Sequence, residues 1–600
     1  MSDLVSTSGA LPKERRGDGS GVLITVLALA AVLAIKLLWI KTSVFDAMST
    51  DDAMRLVEVR DLLNGQGWLD LRQYRLDPPG VLMHWSRIID LPLAMFIVVL
   101  KPLIGTPDAE AVTLFVWPLL LFAGAVALAV TIARQMSNGS VASQIAAAVL
   151  TLLAVPALVH FRPGAIDHHN AQIELLLALP LFTLQIERSA FKAALAGLVA
   201  AVSLAIGVEM LPVIAAIGGA VVGLFIWRGA PVRRQVLAFA IALAASSLVL
   251  ALALLPLQGL AAPVFDSLGG PLLLSTVGGG IGVAAMVGLD RYHSALWLRL
   301  AAATGSAMAL IGAMAWLFAG HIVSPYAQLD PLVVSLWLDH VQETVSLATM
   351  LRLAPEDVLG FYALPLIALG VAAAALVRSK PSERFRWVVG IAALAALFAI
   401  SVWEMRGTGG AAIVAAPLFA AGAAIVWPSL AVGRNLALLA FVVSPAMFAT
   451  IGPPMEPLIR LIFTPDQMDP TSEASRCQSP SDVASLKQLS KGRVMAPIDL
   501  GPAILLETNH EVFAAPYHRN NDGNLALLKL MLAPPSAAHQ MMLDRHVDYV
   551  VICQTEPNQS IIRRAPEGLE ATLARGEAPD FLERIDIASA GKIATWRLRK

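Results

Sequence analysis

The sequence predicts a mainly α-helical polytopic membrane protein of about thirteen transmembrane helices with a small extracytoplasmic α/β domain at its C-terminus, and three observations carry that prediction. Hydrophobic residues make up 57% of the 600 residues and charged residues only 14%, with a mean hydropathy of +0.69. Soluble domains carry roughly 25% charged residues. Apolar runs of about 20 residues, the length that crosses a ~30 Å hydrocarbon core as helix, recur from residue 22 to residue 452. Lys and Arg then concentrate on alternate connections, because cationic loops resist translocation.

The elements follow in order. A tail over 1–20, with Lys13, Arg15 and Arg16, precedes the first run and is read as cytoplasmic. The run Val22–Ile40 is long enough to span and shows no small-residue cleavage site, so it is read as a retained anchor. Further spans are predicted at 111–133, 140–160, 171–186, 190–208, 211–227, 236–256, 271–289, 296–319, 357–377, 387–402, 409–427 and 436–452. Leu91–Gly105 is left out, since it is short and holds Lys101 and Pro102; an interfacial helix is predicted there. Clusters such as Arg228, Arg233 and Arg234, or Arg378, Lys380, Arg384 and Arg386, fall on the N-terminal side, whereas the opposite short loops hold almost only Arg162, Arg352 and Arg406.

This asymmetry places the chain in the inner (plasma) membrane of the cell, with the N-terminus cytoplasmic and the C-terminus outside. The transmembrane body covers 21–455, and three pieces share the outer face: a large first loop over 42–110, a loop over 320–356 and a C-terminal domain over 456–600. The last piece loses the apolar runs and shows strand-like Val547–Cys553 and Ile593–Leu598, with a turn signal at Asn521-Asp522-Gly523. Only two cysteines are present, Cys477 and Cys553, which excludes a Cys-rich zinc module; the outer location permits a bridge between them. A net charge of -1 gives no basic field for nucleic acid.

Candidate chemistry concentrates in the outer loops. The second one reads Phe161-Arg162-Pro163-Gly164-Ala165-Ile166-Asp167-His168-His169-Asn170. Ionisable groups at membrane depth are expensive and mark functional sites, and Asp with His offers oxygen and nitrogen to a divalent metal. Asp167 and His169, one residue apart, are the favoured pair; the alternative is that Asp167 merely caps the next helix. The first loop opens with Ser49-Thr50-Asp51-Asp52, which is equally an N-cap with an acidic first turn. Two carboxylates from separate loops plus an imidazole would suit Mg²⁺ or Mn²⁺. Further along, Pro78-Pro79-Gly80 signals a turn and His84-Trp85-Ser86-Arg87 sets an imidazole, an indole and a guanidinium near the interface, either for sugar and phosphate or as a membrane belt.

An Asp just past the first span, a long outer loop with a Pro/Gly turn and a His-Trp segment, and Gly-x-x-Asp-His-His in the second outer loop together resemble the catalytic subunit of oligosaccharyltransferases, which are GT-C membrane glycosyltransferases. The likeness reaches residue level only across roughly the first 190 positions. It implies transfer of a sugar or oligosaccharide from a polyprenyl-phosphate-linked donor to an extracytoplasmic acceptor, assisted by a divalent metal. On this resemblance Asp52 is the first-loop catalytic aspartate, in preference to Asp51, and Asp52, Asp167 and His169 are metal ligands. Glu343, in His340-Val341-Gln342-Glu343-Thr344, matches the family's catalytic glutamate of the later outer loop, with Glu356 nearby. Arg406 matches an arginine that meets the donor phosphate, or else it snorkels at the interface. Arg162, His84, Trp85 and His518 complete the expected substrate contacts.

One departure stands out. The family's Trp-Trp-Asp-Tyr-Gly acceptor motif is absent: Pro497-Ile498-Asp499-Leu500-Gly501 keeps only Asp-x-Gly, and a polar cluster from Ala515 to Asn521 follows. Protein Asn is therefore not implied as the acceptor. The rival reading is a transporter or flippase for a lipid-linked or envelope substrate. Such proteins place binding groups at the midplane on broken helices and often carry internal repeats; here no repeat is visible and the acids and histidines lie in outer loops.

Overall fold

The computed structural model describes residues 20–39, 43–321, 328–431, 434–462, 477, 479–555, 557–586 and 592–599. The expected cytoplasmic tail, up to residue 19, and Ile40 at the end of the anchor lie outside the described residues. Helix α1 (Ser20–Trp39) leads into the loop expected on the outer face, which folds as α2 (Thr50–Leu63), a two-stranded hairpin of β1 (Arg72–Gln73) and β2 (Val81–Leu82), and α3 (Arg87–Ile104). The helical body continues with α4 (Thr106–Met136), α5 (Val141–Leu152), α6 (Val155–Leu158), α7 (His168–Thr183), α8 (Ala190–Ile206), α9 (Leu211–Arg228), α10 (Arg233–Leu254), α11 (Gly270–Asp290) and α12 (Leu296–Leu317). Two short helices, α13 (Pro331–Leu336) and α14 (Leu347–Leu353), fill the later outer loop. Then α15 (Val358–Arg378), α16 (Arg384–Trp403), α17 (Gly407–Val426), α18 (Asn435–Val442) and α19 (Pro445–Ile462) complete the body.

Among the described residues, eight helices are long and apolar enough to cross a membrane, or up to ten if the bent pairs around α5–α6 and α18–α19 each count as one. The remaining expected spans fall short of that length. α7 and α8 have 16 and 17 residues, and the described apolar stretch of α1 is Leu23–Val32. Helix α3 turns Ile89, Leu93 and Ile97 inward and leaves Met95, Val99 and Leu103 exposed, the two-faced pattern of an interfacial helix. The expected boundary at residue 455 falls inside α19.

Small residues decide who sits in the middle. α17, built largely of Gly and Ala, is almost wholly buried, while α12 has no buried residue and packs at the periphery through contacts such as Leu310 and Ser306 against Gly278 and Gly282 of α11. Gly and Ala let backbones approach closely where lipid gives no hydrophobic drive between helices. The α8–α10 contact shows the same device: a Cβ on Gly197 would meet the Phe239 carbonyl oxygen and lie 2.8 Å from the Leu243 nitrogen, neither of which can rotate away. Gly197→Ala is expected to destabilise the protein by about 1–3 kcal/mol, read as a lower unfolding temperature in detergent; an unchanged temperature would show that the two helices separate freely.

The C-terminal domain carries a five-stranded mixed sheet ordered β4-β3-β5-β7-β6, with β3 (Arg493–Met495), β4 (Glu511–Val512), β5 (Tyr549–Cys553), β6 (Leu582–Arg584) and β7 (Ile593–Leu598). β3 pairs in parallel with β4 and β5, and β7 runs antiparallel between β5 and β6. Both predicted strands are present, and Cys477 is joined to Cys553. Asn521-Asp522-Gly523 is not a turn but the start of a helix, Asn521–Leu532. An acid near a helix N-terminus is favourable, and the Asn521 side chain there accepts a bond from the Asp330 N–H at 2.9 Å, tying the helix to α13.

The domain is stapled to the first outer loop. Val512 N–H donates to Arg75 O at 2.9 Å and Asp77 N–H to Val512 O at 2.7 Å, so residues 75–77 add to the free edge of β4. Arg75 bonds the carbonyls of Leu505 and Thr508, both at 2.9 Å, and a single apolar core joins Met54 and Val57 of α2 to Leu500, Ile504 and Tyr517.

Candidate active site

The site begins with a clamp. Ser49 caps α2, and Asp52, three residues on, returns the bond: its Oδ2 accepts from the Ser49 N–H at 2.9 Å and the Ser49 hydroxyl at 2.7 Å. Its Oδ1 accepts from the backbone N–H groups of Ile166 at 2.8 Å and Asp167 at 2.9 Å. A buried carboxylate with four such bonds locks the second outer loop onto the first. Gly164 makes the approach possible. It sits at φ +92°, and a Cβ there would meet the Val44 carbonyl oxygen at 2.9 Å.

Asp167 stands at the N-cap position of α7 but makes no capping bond, so the cap reading does not describe it. Its Oδ1 takes His168 Nδ1 at 2.7 Å and Arg55 Nη2 at 3.1 Å. Its Oδ2 is buried, has no hydrogen-bond partner and lies 3.6 Å from His169 Nε2. Asp167, His168 and His169 each bring a ligand atom within 4.8 Å of the others. Behind them Glu209, in the break between α8 and α9, holds both imidazoles, His168 Nε2 at 2.8 Å and His169 Nδ1 at 3.4 Å, leaving His169 Nε2 directed at the open carboxylate oxygen.

Asp51 interacts electrostatically with the same cluster. Burial first, then the negative charges of Asp167 and Glu343, holds its carboxyl well above the usual range. Asp167 goes the other way: burial opposes ionisation, but His168, His169 and Arg55 pull it well below the usual range. Glu343 is exposed; its main-chain carbonyl accepts the Arg406 N–H at 3.2 Å while Met405 N–H donates to Val345 O at 2.8 Å, pinning this loop to the α16–α17 turn. Arg406 pairs with Glu404 at 2.8 Å and lines a pocket together with His160, His169, Glu209, Leu397 and Ile400.

A buried ionic network supports the floor. Arg55 has no exposed side-chain surface and meets Asp90 at 2.9 Å, Asp167 at 3.1 Å and Glu58 at 3.6 Å; Arg87 pairs with Asp90 at 2.9 Å. Burial, then Asp90, pushes Glu58 up to about 8 against the pull of Arg55 and Arg87, and neither Glu58 oxygen has a hydrogen-bond partner. Between pH 4.5 and about 8 the native state therefore keeps a proton that the unfolded chain releases, and stability falls as pH rises. Glu58→Gln is expected to flatten that fall, so that its unfolding temperature exceeds the parent's increasingly from pH 5 to pH 8; parallel pH profiles would show that Glu58 is ionised in the fold.

The expected substrate residues divide. Trp85 is 5% exposed, with the Arg55 guanidinium 4.4 Å above its ring and Tyr517 edge-on at 5.3 Å, so neither sugar stacking nor a membrane belt describes it. Its indole is a wall holding Arg55 in place. Arg162 is exposed on the loop before Gly164. His84 and His518 lie with ring centroids 4.7 Å apart and planes tilted by 55°, in a cluster separate from Asp167, His168 and His169. Glu209, Arg55 and His160 were not anticipated. For Glu209 a signal existed: an acid in Gly207-Val208-Glu209, between two apolar runs, is an ionisable group at membrane depth.

No protein-family model and no curated protein sequence matches the chain. Solved structures do. The oligosaccharyltransferase AglB of Archaeoglobus fulgidus, in complex with an inhibitory peptide and a dolichol-phosphate, superposes with a TM-score of 0.69 at 14% identity over 94% of this chain and 72% of that one. The oligosaccharyltransferase of the same organism tethered to an acceptor peptide gives 0.67 at 13% identity over 93% and 72%, and its complex with Zn and sulfate gives 0.60 at 14% over 94% and 71%. The chain thus shares its fold with an archaeal oligosaccharyltransferase.

Proposed function

We propose that this chain is a membrane glycosyltransferase that moves a sugar or oligosaccharide from a polyprenyl-phosphate-linked donor to an extracytoplasmic acceptor. The observation that carries the proposal is the convergence of Asp51, Asp167, His169 and Glu343, from three separate outer segments, beside a pocket that holds Arg406. The shared fold supports it, and so does the dolichol-phosphate bound to the archaeal protein. The span count of thirteen and a C-terminal domain on the extracytoplasmic face belong to this reading.

A divalent cation fits. Asp167 Oδ2 is buried and unpartnered, His169 Nε2 faces it at 3.6 Å, and the carboxyl of Asp51 is burdened by two neighbouring negative charges. Asp167, His169 and Asp51, with Glu343, would hold Mg²⁺ or Mn²⁺, which supplies charge neutralisation at a departing phosphate. Asp52 has both oxygens occupied by Ser49, Ile166 and Asp167, so the first-loop ligand and catalytic part expected of Asp52 passes to Asp51, and Asp52 becomes a positioning residue. Arg406 would meet the donor phosphate at the pocket wall, Glu209 orients the two imidazoles, and a carboxylate of Asp51 or Glu343 would take the acceptor proton.

The test is transfer from a panel of radiolabelled polyprenyl-phosphate-linked sugars by the purified full chain into its own membrane extract. Transfer is expected with one donor, lost on chelation, restored by Mg²⁺ or Mn²⁺, and abolished in Asp51→Asn. Unchanged turnover after chelation, or in Asp51→Asn, would sink the site assignment.

A further inference from the structure

Outside the acidic centre, three segments distant in sequence bring metal-ligating groups together. His84 comes from the first outer loop, Asp266 from the loop between α10 and α11, and His518 from the C-terminal domain, and each offers a ligand atom within 4.8 Å of the others. His518 Nε2 and Asp266 Oδ2 lie 2.8 Å apart, and the two imidazoles are tilted against each other by 55° with centroids 4.7 Å apart. His84 Nδ1 is buried and has no hydrogen-bond partner, an arrangement that costs free energy unless something binds there.

We propose that His84, Asp266 and His518 form a second, zinc-type cation site, distinct from the acidic centre, that fastens the C-terminal domain to the membrane body. Two imidazoles and one carboxylate are the donor set of a borderline divalent ion with one open position, unlike the oxygen-rich set that Mg²⁺ and Ca²⁺ prefer. Arg519 supplies the outer layer: its Nη2 bonds Asp266 Oδ1 at 2.7 Å and Ser267 Oγ at 2.9 Å, and its Nε bonds Oδ2 at 2.8 Å. It also reaches the carbonyls of Met83 at 3.3 Å and Leu82 at 3.4 Å, fixing the chain just before His84. Such outer partners orient ligating carboxylates. An ion at this site would take the place of the direct His518–Asp266 hydrogen bond.

The full chain, purified in detergent and stripped with a chelator, is titrated with Co²⁺ as the optical probe and with Zn²⁺ for metal analysis. Four-coordinate cobalt bands are expected in the parent and in Asp167→Asn, with about one Zn²⁺ per chain retained in that variant. The bands disappear in His518→Ala and in His84→Gln, the latter being the milder change in case the former misfolds. Bands that persist in His84→Gln and His518→Ala, or that vanish only in Asp167→Asn, would overturn the second site. The first outcome leaves the acidic centre untouched, and Asp51→Asn transfer assays report on that centre separately.

Discussion

Arg55→Met is expected to lower the stability of the protein by about 3–5 kcal/mol, the cost of removing one partner from a buried charge network. The guanidinium is fully enclosed and pairs with Asp90 and Asp167 at once, so its loss leaves Asp90 to Arg87 alone and Asp167 to the imidazoles in a space with almost no water. Methionine fills the volume beneath Trp85 without restoring the charge. Thermal unfolding in detergent reads the effect, and Arg55→Met combined with Asp90→Asn should recover part of it, because one stranded charge is then gone. A single variant as stable as the parent would mean that Asp90 and Asp167 share protons rather than a cation.

Asp167→Asn is expected to reduce sugar transfer about a thousandfold with little change in unfolding temperature. The amide oxygen still accepts from His168 and Arg55, so the fold is spared, but the unpartnered Oδ2 and its charge are lost. Glu209→Gln is a milder companion. It touches only His168 and His169 from behind, and losses of about 10–100-fold are usual for such outer partners. Transfer by Asp167→Asn within tenfold of the parent would remove Asp167 from the reaction. A collapse in its unfolding temperature would instead assign it to the ionic network.

A mainly helical chain with many apolar spans and a small C-terminal sheet domain was legible in the sequence because hydropathy acts locally: a run of 20 apolar residues needs no partner to declare itself. What escaped was anything decided by a neighbour from elsewhere in the chain. Asp51 and Asp52 are indistinguishable by type and sit one position apart on α2; only the docking of Ile166 and Asp167 onto Asp52 tells the clamp from the group left facing the cluster. Trp85 reads as a surface aromatic until Arg55 and Tyr517 are seen to enclose it. The site residues sit at the ends of the short helices α7 and α8: His168 and His169 open α7, and Glu209 follows the last turn of α8. The start of the helix at Asn521 was hidden for the same reason, since Asn, Asp and Gly suit a turn and a helix entry alike.

The strand-like addition of residues 75–77 to β4 has a practical outcome for anyone cutting this protein into pieces. Val512 exchanges both its main-chain bonds with Arg75 and Asp77, so a fragment beginning near residue 479 would carry a naked sheet margin together with the apolar surface of Leu500 and Ile504. Such margins recruit other chains. The fragment is therefore expected to self-associate in solution, and co-expression with residues 43–110 should rescue it as a monodisperse pair.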